Sequence, residues 1–236
     1  MKHTFNGNQK IGEIATIFPR TKDIFLEFHI DFCCGGDREL GTVLKEQGIN
    51  EVEILERLNH VYLKNMNSLD ESTDWSIAPL TDLIDYIVEK HHTFMWRELP
   101  LIEGLLSKIL KVHYVDHGEV LSKLNKLFNA LKTELEEHLI KEEQVLFPLI
   151  QTAGNNLSSG TFKEIFEVMN ETEDEHDKAG ELLKEMRRLT DGFIVPTGEC
   201  SSFARAYEKL RAMELDLFDH IHLENNILFE RLKSKA

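Results

Sequence analysis

The chain has 236 residues, of which 42% are hydrophobic and 29% charged, and 42 Asp+Glu against 27 Lys+Arg leave a net charge of −15. That length suits one large domain or a small domain plus a medium one, and high charge with sparse Gly and Pro favours helices over a β-sandwich. So acidic a surface repels phosphates, so neither nucleic acid nor an anionic membrane is an expected partner.

Met1-Lys2-His3-Thr4-Phe5-Asn6-Gly7 has no apolar h-region, so no secretory signal is expected, and no apolar run approaches bilayer-spanning length. The three cysteines, Cys33, Cys34 and Cys200, include an adjacent pair and do not read as a secreted disulfide framework. A reducing cytoplasm is the expected compartment.

Residues 1–65 read as a small helical domain. Ile11, Ile14, Ala15 and Phe18 form one apolar stripe, ended by Pro19, and Ile24, Phe25 and Phe28 form a second. Asp31-Phe32-Cys33-Cys34-Gly35-Gly36 follows as a tight turn. A third helix is expected near 37–47, stopped by Gly48, and Asn50 with Glu53 makes a capping-box arrangement for a fourth. Residues 66–78 read as a polar linker.

Residues 79–236 carry four long amphipathic patterns, which predicts an all-α fold with a C-terminal antiparallel four-helix bundle. The first starts at Pro79 with the stripe Leu80, Leu83, Ile84, Ile87 and Val88, and Pro100 is expected to kink or interrupt it. The second carries Leu121, Leu124, Phe128, Leu131 and Leu135, then His138, Glu142 and Leu146. The third carries Phe162, Ile165, Phe166 and Met169, then His176, Leu183 and Met186, with Gly192 beyond its end. The fourth carries Phe203, Tyr207, Leu210, Met213 and Leu217, then His220, Glu224 and Leu228.

His and Glu stand where these seams call for leucine. A four-residue step turns a helix by about 400°, so His138 and Glu142 share a face, as do His220 and Glu224. His138–Phe147 and His220–Phe229 share the pattern H-x3-E-[EN]-[QN]-[VI]-L-F. His92 precedes His138 by 46 residues and His176 precedes His220 by 44, so a unit of His followed by His-x3-Glu occurs twice. This approximate internal two-fold is the expected trace of a metal pair held between helix pairs. A buried carboxylate without a counter-charge costs several kcal/mol, and divalent cations with imidazole and carboxylate ligands such as Fe, Mn or Zn remove that cost. The candidate metal ligands are His92, His138, His176 and His220, terminal, with Glu142 and Glu224 bridging.

A lone buried His is more often a hydrogen-bonded core residue than a ligand, but the doubled motif outweighs that reading. His91 competes with His92; the shared spacing of Glu89-x-x-His92 and Glu173-x-x-His176 favours His92. Those two pairs echo the ferritin-like pattern, yet that pattern would leave His138 and His220 unused, so Glu89 and Glu173 read as outer or surface residues. His222 is expected to face away from His220. His3, His29, His60, His113 and His117 read as ordinary polar residues, and Cys200 as a packed thiol near the start of the last helix. Cys33 and Cys34 are expected to be separate thiols in an open turn, with a helix N-terminus near Asp37 to lower a thiol pKa; two small turn residues is the equally weighted alternative.

The Asp31–Gly36 turn, the segment Glu175-His176-Asp177-Lys178-Ala179-Gly180 and the two His-to-Phe segments resemble the RIC (repair of iron centres) di-iron proteins, hemerythrin-like bundles with an N-terminal Cys-Cys-Gly-Gly domain. The resemblance covers nearly the whole chain. It implies a cofactor of two non-haem Fe ions and places the family's ligands on the same six residues. It also implies a role in restoring iron–sulfur clusters damaged by nitric oxide or peroxide, with damaged iron–sulfur proteins as clients and NO or O2 as small ligands. Iron donation is the first expectation, with Cys33 and Cys34 as candidate acceptors. Nitric oxide reduction at the di-iron pair and gas or redox sensing through a partner are the alternatives. A homodimer is compatible with all of them.

Overall fold

The computed structural model describes residues 5–65, 73–153 and 159–235. Among these residues it is helical, with only an isolated bridge between Lys10 and Glu39, and no helix is long and apolar enough to cross a membrane. The chain forms two compact units: Met1–Pro79 with Ile221–Ala236, and Leu80–His220.

The first unit begins with α1 (Ile11–Ile17) and α2 (Thr21–Glu27), whose predicted stripes bury Ile11, Ile14, Ala15, Ile24 and Phe25. Then α3 spans Leu40–Gln47 and α4 Glu51–Asn65. Gly48 ends α3 with φ +68°, a left-handed stop, and the Asn50 side chain accepts the Val52 N–H at 3.1 Å to cap α4. The third helix therefore starts later than expected. Cys34–Asp37 is a separate 3-10 turn, so the helix expected to begin near Asp37 begins only at Leu40.

Most of the predicted linker, 66–72, lies outside the described residues, as does His3. Its last part is anchored: Arg231 donates to the carbonyl oxygens of Trp75 and Ala78 at 2.7 and 2.6 Å.

The second unit is built from long helical runs. The first is α5 (Leu80–Tyr86), a π-helical stretch over Ile87–His92, and α6 (Thr93–Val112). The second is α7 (Tyr114–Lys141), a π stretch over Glu142–Leu146, and α8 (Phe147–Ala153). The third is α9 (Ser159–Leu189) and the fourth α10 (Ser201–Leu223), which continues beyond the unit through a π stretch over Glu224–Phe229 into α11 (Glu230–Lys233). Their apolar stripes meet inside: Leu83, Met95, Ile102, Leu124, Phe128, Leu183, Leu210 and Met213 are all buried. Burying such side chains contributes roughly 1.5–3 kcal/mol each, the main force holding the bundle together. Arg187 pairs with buried Glu214 between α9 and α10, and Lys209 with Glu98 between α10 and α6.

Pro100 does not interrupt its helix; α6 runs through it. The irregularity comes earlier, at Ile87–His92, where the Thr93 N–H reaches back to the Val88 carbonyl. A π turn inserts one residue into the helical register, and such turns concentrate at functional sites.

Candidate metal centre

Each His-x3-Glu motif sits where α-helix passes into π-helix. His138 lies in the last turn of α7 and Glu142 opens the π stretch; His220 lies in α10 and Glu224 opens the next one. His92 closes the π stretch of its own run. The local widening keeps the His and Glu on one face while re-aiming the residues after them.

The six predicted donors come together. Ligand atoms of His92, Glu142, His220 and Glu224 lie within 4.8 Å of one another, and so do those of His138, Glu142, His176 and Glu224. All six residues are buried, Glu142 and Glu224 completely. The two groups share both carboxylates, and each has its own pair of histidines.

The imidazoles point inward through Nε2. His92 Nε2 lies 3.2 Å from His220 Nε2, and His138 Nε2 3.2 Å from His176 Nε2. The Glu142 carboxylate lies 3.2 Å from His138 Nε2 and 3.4 Å from His92 Nε2. Two of the rings are fixed from outside. His92 Nδ1–H donates to Glu143 at 2.9 Å, and His138 Nδ1–H donates to Glu175 at 3.0 Å. A neutral imidazole that donates from Nδ1 presents its lone pair at Nε2, the tautomer a metal ligand needs. The His138 ring, then Lys141, pulls the Glu175 carboxyl down to about 2 against the effect of burial, so it is an anion at neutral pH. Four imidazoles around two fully buried carboxylates form a donor set suited to Fe, Mn or Zn.

Carboxylates other than Glu89 and Glu173, which read as outer or surface residues, hold the donor rings. Glu89 is exposed and Glu173 half-buried, whereas Glu143 and Glu175 hold the rings. Each adjoins a donor in sequence, after Glu142 and before His176, and that adjacency was the available signal. His91 is buried too, with Nδ1 3.1 Å from Asp216 and its ring stacked on His220 at 5.8 Å; it braces the donor ring and is absent from both groups. A surface cleft of about 310 Å3 reaches Glu143 and Phe147, the ring on which His92 stacks.

In the first unit the two thiols of the Cys33–Cys34 turn differ in exposure, Cys33 being buried and Cys34 half-buried. Cys33 is buried, and its Sγ lies 4.0 Å from that of Cys34, so the two are not bonded. The hydrogen bond with Cys34, then burial, pushes the Cys33 thiol well up. Asp31 Oδ1 accepts the N–H of Cys33 at 3.2 Å and of Gly35 at 3.1 Å, and Asp31, Cys33 and Cys34 have donor atoms within 4.8 Å. Asn226, two residues beyond Glu224, packs against Gly12 and Gly36, where a methyl group would run into its amide. His222 does face elsewhere than His220: its ring packs on Phe32 at 5.8 Å and meets Asn226, and burial lowers its pKa well below the ordinary value.

Cys200, His113 and His117 depart from expectation. Cys200 is exposed rather than packed, and both histidines engage it or its neighbour Glu199.

Comparison with known proteins agrees with this geometry. Residues 82–232 match the model of the hemerythrin HHE cation binding domain, and residues 7–62 match ScdA_N, a domain of unknown function (DUF542). The chain is 33% identical over 225 residues to the iron-sulfur cluster repair protein YtfE of Pectobacterium atrosepticum, covering 95% of this chain and 96% of that protein. It is 34% identical over 224 residues to the protein of the same name from Salmonella paratyphi B, with the same coverage of 95% and 96%. The matching family models and these relatives together establish that the chain belongs to the hemerythrin HHE family, in the group of iron–sulfur cluster repair proteins with an N-terminal ScdA_N domain.

Proposed function

We propose that this chain holds a pair of iron ions in the His/Glu cluster and supports the repair of iron–sulfur clusters damaged by nitrosative or oxidative stress, by donating iron. The observation that carries this is the division of the donors into two groups that share Glu142 and Glu224. His92 and His220 would hold one ion and His138 and His176 the other, with both carboxylates available to each. Glu143 and Glu175 hold two of the rings in the ligating tautomer.

Iron bound in this set supplies both a store for transfer and open positions for small ligands such as NO or O2. The two buried carboxylates would balance only about half the charge of two divalent ions, which would favour release over permanent retention. Asp31, Cys33 and Cys34 offer two sulfurs and an oxygen as an acceptor group. The raised Cys33 thiol keeps its proton until a metal displaces it. Those thiols require a reducing compartment, which supports a cytoplasmic setting, and damaged iron–sulfur proteins are the partners this reading needs.

Metal analysis with optical and EPR spectra of the untagged protein tests the centre, and transfer of iron to a demetallated iron–sulfur protein tests donation. Replacing Cys33 and Cys34 with serine leaves the iron content unchanged and lowers transfer. Loss of iron in that variant overturns the division of labour. The cleft that reaches Glu143 favours small-molecule access and hence nitric oxide reduction as the second reading; stoichiometric nitrous oxide in an anaerobic single turnover selects it.

A further inference from the structure

The second unit holds another group of reactive side chains. Cys200 lies immediately before α10, with its side chain exposed. His113, the single residue between α6 and α7, places Nε2 3.2 Å from the Cys200 sulfur. The other nitrogen of that ring, Nδ1, lies 2.8 Å from Glu199, whose second oxygen lies 2.6 Å from His117 Nε2. His113 and Glu199 are largely shielded, at 14% and 13% exposure, while the sulfur they serve is open to solvent.

This is the order of parts that activates a nucleophile: a thiol, a base in contact with it, and an acid that orients the base. Glu199 lies 2.8 Å from Nδ1 of His113 and so favours the proton on that nitrogen, which leaves Nε2, the nitrogen that faces sulfur, as the basic one. The hydrogen bond between Cys200 and His113, then the Phe203 amide at the start of α10, holds the Cys200 thiol below its ordinary value. Cys33 is shifted the opposite way, by Cys34 and by burial. The charged and titratable neighbours are His113, His117, Glu199 and Tyr207. Burial and then Glu199 push Tyr207 up to about 12, so it stays a neutral phenol and does not compete for the proton. A cation site is not the better reading, because Cys200, His113, His117 and Glu199 are absent from the groups of donors that converge among the described residues.

We propose that Cys200, His113 and Glu199 form a peroxide-reactive thiol site, at which a hydroperoxide oxidises Cys200 to a sulfenic acid. The thiol proton passes to His113 Nε2. The thiolate attacks one peroxide oxygen; the S–O bond forms as the O–O bond breaks, sulfur is oxidised by two electrons and the peroxide reduced. The proton on Nε2 goes to the departing oxygen, which leaves as water or an alcohol. That last transfer selects a hydroperoxide over a disulfide as the reactant. Hydroxide and alkoxide are poor leaving groups that need an acid at the reacting atom, whereas a thiolate leaves unaided.

The test uses the full-length, iron-loaded protein. Limiting hydrogen peroxide is added at pH 7, sulfenic acid is trapped with dimedone, and adducts are located by mass spectrometry. Cys200 reacts at least about tenfold faster than N-acetylcysteine, and His113→Gln removes that advantage, with Glu199→Gln intermediate. In a second, peroxide-free arm, iodoacetamide alkylation of Cys200 is followed against pH, which separates thiol activation from reactions of the iron. Half-maximal rate falls below the free-thiol value of about 8.5 and rises in His113→Gln. Should Cys200 of the wild-type protein react no faster than N-acetylcysteine and ionise at the ordinary thiol value, the proposal is overturned whatever the variants do.

Discussion

Asn226 donates from Nδ2 to the carbonyl oxygens of Phe32 and Cys33, at 3.2 and 3.1 Å, clasping the thiol turn against the helical run that carries Glu224. The glycines at 12 and 36 leave the space the amide occupies. The turn is therefore held twice, locally by Asp31 and from far along the chain by Asn226.

Replacing Asn226 with alanine strands two carbonyls, at a cost of about 1–3 kcal/mol each if no water replaces the amide. The expected result is a lower melting temperature and faster alkylation of Cys33. Gly36→Ala acts in the same direction by displacing the amide. An unchanged alkylation rate at Cys33 in both variants rules out the clasp as its shield.

Glu142 lies in both donor groups and is fully buried. Glu142→Ala is expected to lower the iron content from about two ions per chain to one or none, because either ion loses a shared ligand. Elemental analysis of protein purified under identical conditions decides this, and retention of the full complement refutes a bridging role.

Glu143→Gln and Glu175→Gln remove the anions that orient His92 and His138. Metal affinity is expected to fall by about 10–100-fold in each, while all six donors remain. Competition against a chelator of known affinity reads the change.

Acid should weaken the Glu175 contribution to stability. Its carboxyl is depressed from 4.5 to about 2 in the folded state, so the stabilisation is complete above the unfolded value and fades as pH falls from about 4.5 towards 2. Being partly exposed, the pair contributes only about 1 kcal/mol at neutral pH. Urea unfolding of metal-free wild type and Glu175→Gln should therefore differ at pH 7 and converge near pH 2.

Stripping the metal leaves four imidazoles and two carboxylates crowded in the core. Because a metal that binds only the folded state stabilises it by mass action, the chelated protein is expected to melt well below the loaded one. Identical melting curves would mean that the cluster holds no cation of consequence.

Much of this architecture was legible in the residues alone. Leu121, Leu124, Phe128, Leu131 and Leu135 repeat at helical spacing because one side of a helix must meet an apolar core, and they are buried. His138 and Glu142 stood out because they occupy positions where that repeat demands leucine. Glu143 and Glu175 were hidden in plain view, since an outer carboxylate looks like any acid on a solvated face until its partner ring is located.

The linear order nevertheless leaves open which histidines share a group. His92 precedes His138, yet it is His220, 128 positions further on, whose Nε2 it meets. The group formed by His113, Glu199 and Cys200 was equally invisible, because residues 87 apart approach only when the ends of α6 and α10 are brought together. Periodicity within a helix depends on bonds between near neighbours, so composition and spacing determined the helices, their buried faces and the types of donor available. Which faces meet, which histidine pairs with which, and which thiol is shielded or activated depend on packing between distant segments, and only the tertiary structure decided them.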